Sequence, residues 1–517
     1  MEHLKDQHVL ILGLGASGLA MARWCVRCGA QVTVADTRNA PPQLAALQKE
    51  LPLARFISGP LDASLIDGAA AHAVFKSPGL APADLAPVAA AAQSAGIPMG
   101  GELALFSQAL AELRTAREYT PKVLAVTGTN GKTTVTALTG QLVSRAGKRV
   151  MVAGNIGPTL LDTLSACLDA GVLPEVWVIE LSSFQLDGDN GFEPSAAVVL
   201  NITQDHLDWH GSMQAYLGAK ARVFGQHSLM LLNREDPLVM AMLRPAVSAA
   251  PAVAQRASRA RVLPPKLRAH LTFGADLPAR PGDFGLEEVN GMVWLVRALE
   301  ADETIKKRNN TDNQELHLQR LMPADALRIR GRHNAVNALA ALALASAADC
   351  ALGPMLYGLR EYRGEPHRVE LIGSFNGVEF FDDSKGTNVG ATVAALIGLG
   401  LERKIVVILG GEGKGQDFSP LAAPVMRHAR AVVLIGRDAP PIRAALQSTG
   451  ITLVDAATMA QAVAAGHELA QAGDAVLMSP ACASFDMFDN YEHRAQMFCQ
   501  AVRDLANAAG VTLEGAL

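Results

Sequence analysis

Residues 122–134 read KVLAVTGTNGKTT, and no other stretch restricts the fold so strongly. Val123 to Val126 is a short apolar β-type run that feeds a glycine-containing turn, closes on Gly131-Lys132-Thr133 and opens a helix-like segment. Strand, turn and helix in that order aim backbone N–H groups and a helix N-terminus at an anion. Lys132 then reaches the β- and γ-phosphates, and the Thr133 hydroxyl can hold Mg²⁺. The common form of this loop has a glycine five residues before Gly131, where this chain has Val126. The plain alternative is a tight strand-to-helix turn that merely carries Lys-Thr.

The same alternation recurs on both sides. VLILGLGASG, with Gly13, Gly15 and Gly18 between a strand and a helix, is followed by the strand QVTVAD ending at Asp36. This is the pattern of a dinucleotide fingerprint, and it equally suits another nucleotide or a turn that only packs helix on strand. FKSPG (75–79) ends another strand, and a helical stretch runs from Glu102 to Arg114. After the phosphate loop come RVMVAGNIG, VWVIELSSF, AAVVLNITQDH and LMLLNRED, each a strand leading into a polar loop. Between Pro245 and Asp325 the pattern degrades: six prolines fall between 245 and 281, and a polar tract runs from Lys306 to His317. Extended strands, loops and a flexible insertion are expected there. A strong helix is expected from His333 to Asp349, then a hairpin turning at Asn376-Gly377, then strands in KIVVILGG, AVVLIG and AVLMSPA. At 517 residues the chain suits three α/β domains, at 1–118, 119–363 and 364–517. The first and third are expected to be Rossmann-like, the second a P-loop ATPase with a mostly parallel sheet.

The 45 basic against 50 acidic residues leave a net charge of −5, which argues against a dedicated nucleic-acid or anionic-membrane binder. No apolar run is long enough to span a bilayer, and MEHLKDQHVLILGLG does not read as a signal peptide. Six cysteines are few and irregular; Cys25 and Cys28 sit in a helix with no second pair to complete a zinc site. A reduced compartment is expected.

Several strand ends carry candidate chemistry. Glu180 closes VWVIE beside the phosphate loop and reads as a Mg²⁺ ligand or, more plainly, a helix-cap carboxylate. NITQDHLDWH offers Asp205, His206, Asp208 and His210, either ligands or satisfied loop residues. Lys220 lies on a helix, where a lysine is by default a solvated side chain, and bare spacing does not single it out. Lys385 in DDSKGTN and Lys414 in GGEGKGQDF follow successive strands at the edge where open α/β sheets bind ligands, and suit an anionic substrate. Ser484, in SPACASFDMF, can reach the same ligand.

GTNGKTT, NIG, ELSSFQL, DHLD, HNAVNALAA, PHR and DDSKGTN, in this order over essentially the whole chain, resemble the Mur ligase family of peptidoglycan synthesis. ELSSFQL, DDSKGTN, GGEGKGQDF and SPACASFD resemble its D-glutamate-adding branch. The resemblance implies a cytoplasmic, monomeric, ATP-dependent ligase using two Mg²⁺ ions, with UDP-N-acetylmuramoyl-L-alanine and D-glutamate as substrates. It gives the first glycine turn to UDP rather than NAD, with Ser17, Asp36, Thr37, Arg38, Ser77 and Gly79 at matching positions. Asn155, Ser182, Gln185 and His206 would line the substrate arm. ATP would meet Gly128, Thr129, Asn130, Gly131, Lys132, Thr133, Thr134, Asn334, Asn337, His367, Arg368 and Asp383. Thr133 and Glu180 would hold one Mg²⁺, and His206 with a carbamylated Lys220 the other; Lys132, Glu180, His206 and Lys220 would be catalytic. D-Glutamate would meet Lys385, Thr387, Lys414, Ser484, Phe485 and Tyr491. Phe485 and Tyr491 depart from the residues familiar in relatives, and the 306–317 tract is longer than the family core needs. The competing readings are a sister ligase or folylpolyglutamate-type synthetase using another amino acid, an NAD-binding oxidoreductase, and a nucleotide-regulated binding protein.

Overall fold

Alternating strands and helices build three open α/β sheets in the computed structural model, which describes residues 2–67, 71–188, 191–243, 267–300, 316–401 and 403–515. The first sheet comprises β1 (His8–Leu12), β2 (Gln31–Asp36), β3 (Arg55–Ser58), β4 (Ala73–Lys76) and β5 (Met99–Gly100), all parallel, in the order β3-β2-β1-β4-β5. β1 is central and covered on both faces, which explains its unbroken VLIL run. Its C-terminal end turns through Gly13 into the helix Ala16–Arg27, where a side chain at Gly18 would strike the Gly13 carbonyl. Cys25 and Cys28 are buried there, and burial pushes both thiols up from their ordinary range.

The second sheet holds β6 (Lys122–Thr127), β7 (Val150–Gly154), β8 (Val176–Glu180), β9 (Ala196–Val199), β10 (Leu229–Asn233), β11 (His270–Phe273), β12 (Phe284–Val289), β13 (Met292–Glu300) and β14 (Leu316–Pro323). Its order is β14-β13-β12-β11-β10-β9-β6-β8-β7. β6 to β12 pair in parallel, and β13 and β14 extend the edge antiparallel. The proline-rich stretch thus contains extended strands, as expected; residues 244–266 lie outside the described residues, as does the polar tract except Leu316 and His317 in β14.

The helices Lys132–Arg145 and Arg332–Ala347 pack on one face of this sheet. The second is apolar all round from Ala338 to Ala345 because it is covered on every side. The other face supplies Ala125, Trp177 and Ile179 to a core continuous with Trp24, Leu103 and Phe106 of the first unit, and the Phe106 and Trp177 rings meet edge-to-face at 5.2 Å.

The third sheet comprises β15 (Glu370–Phe375), β16 (Val378–Asp382), β17 (Ile405–Gly410), β18 (Ala429–Ile435), β19 (Thr452–Asp455) and β20 (Ala475–Met478), in the order β15-β16-β20-β17-β18-β19. The hairpin turns at Asn376-Gly377 with both φ angles positive (53° and 75°), the geometry a two-residue turn between twisted strands needs. The other neighbours pair in parallel.

Candidate active site

The active-site candidates gather where the carboxyl ends of β6, β8 and β9 lie level, with Val126 opposite Glu180 and Thr127 opposite Val199. β6 leads into the phosphate loop, whose Gly131 has φ +83°. A Cβ there would lie 2.9 Å from Asn337 Oδ1, so the backbone comes close to the second asparagine of HNAVN only because it carries no side chain. Asn201, past β9, braces the loop: its carbonyl and Oδ1 accept from the Thr129 and Asn130 amides at 2.9 and 2.8 Å. Lys132 Nζ curls back to donate to the Gly128 and Thr129 carbonyls at 3.0 and 2.8 Å. Burial lowers its pKa, and Glu180 opposes that shift. Asn337 donates to Asn334 Oδ1 at 3.1 Å, and both asparagines line a cleft with Asn130, Gly131, Arg368 and Asp383.

Glu180 is 2% exposed. Oε1 accepts from Asn155 Nδ2 at 2.8 Å, while Oε2 is buried with no partner among the described residues. A solvated cap carboxylate would not be left so; an orphaned oxygen one strand from Thr133 fits a cation.

Lys220 overturns the default expectation of a solvated helix lysine. It is 1% exposed, on the helix Met213–Ala221 whose buried stripe is Tyr216, Ala219 and Lys220. Nζ donates to the Gly128 carbonyl at 2.8 Å and sits 4.7 Å from the Tyr216 ring centroid. Burial first, then Lys132, drives its pKa well below the usual ammonium range, which favours a free amine. His206, at φ +54°, holds its ring 4.7 Å from that of Phe184. Burial lowers its pKa; Asp205 opposes, and Lys132, Lys414 and Lys220 push the same way. His210, the other histidine of this loop, bonds Ser183 Oγ at 2.9 Å. Ser182 and Gln185 close the ELSSFQL turn on one another: Oε1 of Gln185 accepts from the Ser182 hydroxyl at 3.0 Å.

At the first glycine turn Asp36 accepts from the Leu14 amide at 2.7 Å and from the Arg38 amide and guanidinium at 2.8–2.9 Å. Arg38 holds its carboxyl down to about 2. Ser77 donates to the Gly13 carbonyl at 2.8 Å, and the Ser17 hydroxyl meets buried Glu102. Thr37 and Gly79 are exposed at the rim.

The third unit reaches over this edge. Arg368 donates to Thr133 Oγ1 at 2.7 Å, and its Nε is buried with no partner among the described residues. His367 pairs with Asp382 at 2.7 Å, which raises its pKa. Asp383, bonded to Ser479 at 2.6 Å, is pushed up to about 7 by burial. Lys385 Nζ lies 5.2 Å from the Tyr491 ring centroid, and Lys414 (φ +52°) follows β17. Thr387 is half-buried, Ser484 is buried and Phe485 is 66% exposed.

Sequence reasoning passed over Asn388 and Arg494. Asn388 bonds Asn130 at 3.0 Å and Asp205 at 3.3 Å, tying the third unit to the second. Buried Arg494 donates to the Cys482 carbonyl at 3.1 Å and the Ser384 carbonyl at 2.7 Å, fastening together the loops that carry Ser484 and Lys385. Its position one turn beyond Tyr491 in an amphipathic helix was the available signal.

A triphosphate-type loop, an orphaned carboxylate and a second α/β unit carrying lysines on the same strand edge define an ATP-dependent ligase in three parts. Three family models match in the same order: the Mur ligase MurD-like N-terminal domain over residues 7–101, the Mur ligase middle domain over 126–259 and the Mur ligase glutamate ligase domain over 367–482. A UDP-N-acetylmuramoylalanine–D-glutamate ligase of Albidiferax ferrireducens is 74% identical over all of both chains. Proteins of the same name are 58% identical in a Polaromonas species (99% of this chain, 100% of that one) and 56% in Ralstonia nicotianae (99% of each). The fold is shared with UDP-N-acetylmuramate-alanine ligase of Thermotoga maritima (TM-score 0.54, 19% identity, 97% and 100% covered) and with MurF ligase of the same organism, solved with ADP (0.56, 15%, 98% and 97%). The chain belongs to the Mur ligase family, a family of ATP-using, amide-forming enzymes. Among the described residues no helix is long and apolar enough to cross a membrane.

Proposed function

We propose that this chain joins D-glutamate to the alanine carboxylate of UDP-N-acetylmuramoyl-L-alanine in the cytoplasm, driven by ATP. The observation that carries the reading is the meeting at one strand edge of Lys132, Glu180 and Lys220 with the third unit, where Lys385 feels the charges of Glu180 and Lys132, and Lys414 acts on His206. The names and full-length identities of the relatives support the substrate pair.

Residues 1–118 hold the UDP part, 119–363 the ATP and 364–517 the amino acid. The turn around Gly13 with Ser17, Asp36, Thr37, Arg38, Ser77 and Gly79 binds the sugar nucleotide; Asn155, Ser182, Gln185 and His206 guide its arm. ATP lies on residues 128–134, with Asn334, Asn337, His367, Arg368 and Asp383 closing the cleft. D-Glutamate sits among Lys385, Thr387, Lys414, Ser484, Phe485 and Tyr491. On this reading the enzyme acts as a monomer.

The γ-phosphoryl group passes to a carboxylate oxygen, giving an acyl phosphate and ADP. The D-glutamate amine attacks the carbonyl carbon, and the tetrahedral intermediate expels inorganic phosphate carrying that oxygen while the nitrogen loses its proton. Lys132 offsets the repulsion between two anions, and the shielded cleft keeps water from the acyl phosphate. Thr133 with the free Glu180 oxygen, and His206 with modified Lys220, would hold two Mg²⁺ ions that neutralise phosphate charge. Lys220 suits that modification: its deprotonated amine attacks CO₂, a C–N bond forms as one C=O π bond opens onto oxygen, the nitrogen loses a proton, and the side chain becomes an anionic carbamate ligand.

An amino-acid panel tests the reading. With ATP and UDP-N-acetylmuramoyl-L-alanine, phosphate release should require D-glutamate. Release supported equally by L-lysine, diaminopimelate or L-glutamate would mark a sister activity.

A further inference from the structure

Between the first glycine turn and His206 stands a wall made of Lys76, Asp187, Trp209 and Phe184. Lys76 ends β4 opposite Leu12, the last residue before the glycine turn. It precedes Ser77, whose hydroxyl is bonded to Gly13. Its ammonium crosses to the central unit, 3.3 Å from Asp187 Oδ2 and 5.7 Å from the centroid of Trp209. Trp209 packs on Phe184 at 4.8 Å, and Phe184 on His206 at 4.7 Å, so the contacts run unbroken from the glycine turn to the reactive edge.

Two details mark this wall as a site. The Trp209 indole N–H is buried with no partner among the described residues, which is costly for a donor unless something accepts from it. Lys76 is loosely held: Asp187 is shared with Arg222, 3.4 Å from its other oxygen, so the carboxylate keeps a cation if the lysine swings away. Arg38, by contrast, is committed to Asp36 through both its Nε and Nη2.

We propose that Lys76 and Trp209 form a subsite for the sugar-diphosphate stretch of the UDP-linked substrate: the ammonium leaves Asp187 for a phosphate oxygen, and the indole N–H donates to an oxygen of the sugar arm. The inference rests on the reading of the first unit as the sugar-nucleotide site and names two positioning residues in it. A lysine acts here as a mobile point charge, which suits a ligand that arrives and leaves.

Steady-state kinetics on the full chain test it, with ATP and D-glutamate saturating. Lys76→Met should raise KM for UDP-N-acetylmuramoyl-L-alanine about tenfold with kcat within about twofold, the pattern of lost uniform binding. Lys76→Arg should recover most of that loss. Trp209→Phe, which keeps a ring and removes the N–H, should raise the same KM by about threefold or more. Asp187→Asn is the structural control: it breaks the bridge to Lys76 but leaves the cation, so KM should stay unchanged or fall. An unchanged KM in Lys76→Met overturns the subsite. So does an Asp187→Asn variant that reproduces the loss, because the pair is then only a brace between units. A wild-type chain inactive with this substrate overturns the parent reading and this inference with it.

Discussion

Lys220 shows how a residue's role depends on what surrounds its charge. On a helix surface it would be an ordinary ammonium; burial against the Gly128 carbonyl, and then Lys132, drive its pKa well below that of one. Its position on the buried stripe was legible in YLGAKA, where Tyr216, Ala219 and Lys220 fall at i, i+3 and i+4. The expectation of solvation came from residue type, which outweighed spacing. Lys220→Ala should lose activity by a factor of a hundred or more, on the order of 3 kcal/mol of transition-state stabilisation, and added acetate should restore part of it. Acetate without effect would speak against a carboxylate-like group there. Asp36 makes a stability prediction. Its pKa falls from 3.8 unfolded to about 2 folded, so its contribution is complete above about pH 4 and is lost as pH falls through 2. Asp36→Asn should therefore flatten the acid dependence of unfolding free energy between pH 4 and 2, measured by urea titration.

Among the elements, those buried on both faces were the most legible. β1, β6, β8, β9 and β17 are continuous apolar runs and stand where the pattern put them. The edge strands β3 and β19 were missed because RFIS and TLVD are short and half exposed, so burial imposes little pattern on them. The turn before the helix Lys132–Arg145 was legible as chemistry, but its contact with Asn337, more than two hundred positions away, was not. Gly131→Ala forces a side chain into φ +83° and against that asparagine. It should abolish ATP-dependent turnover while the circular dichroism spectrum stays unchanged; normal turnover would mean that the loop does not need this close approach.

At the scale of the molecule the three units are joined in different ways. The first and second share an apolar core through Phe106 and Trp177, whereas Asn388 and Arg368 bond the third to the second through polar groups. Phe106→Ala should cost about 3–5 kcal/mol and lower one calorimetric transition while leaving that of the third unit in place. A uniform shift of the whole endotherm would instead show a single cooperative block. The apolar union was not visible in the sequence, because contacts between units leave no local period; the polar one was implied only by the family resemblance, which put Arg368 beside the ATP loop but did not single out Asn388. The central claim is that ATP activates a carboxylate for an incoming amine. It is tested most directly by placing ¹⁸O in the alanine carboxylate of UDP-N-acetylmuramoyl-L-alanine and analysing the phosphate released with D-glutamate by mass spectrometry. Transfer of one ¹⁸O to each phosphate is the predicted result; phosphate without label, at full product yield, would contradict it.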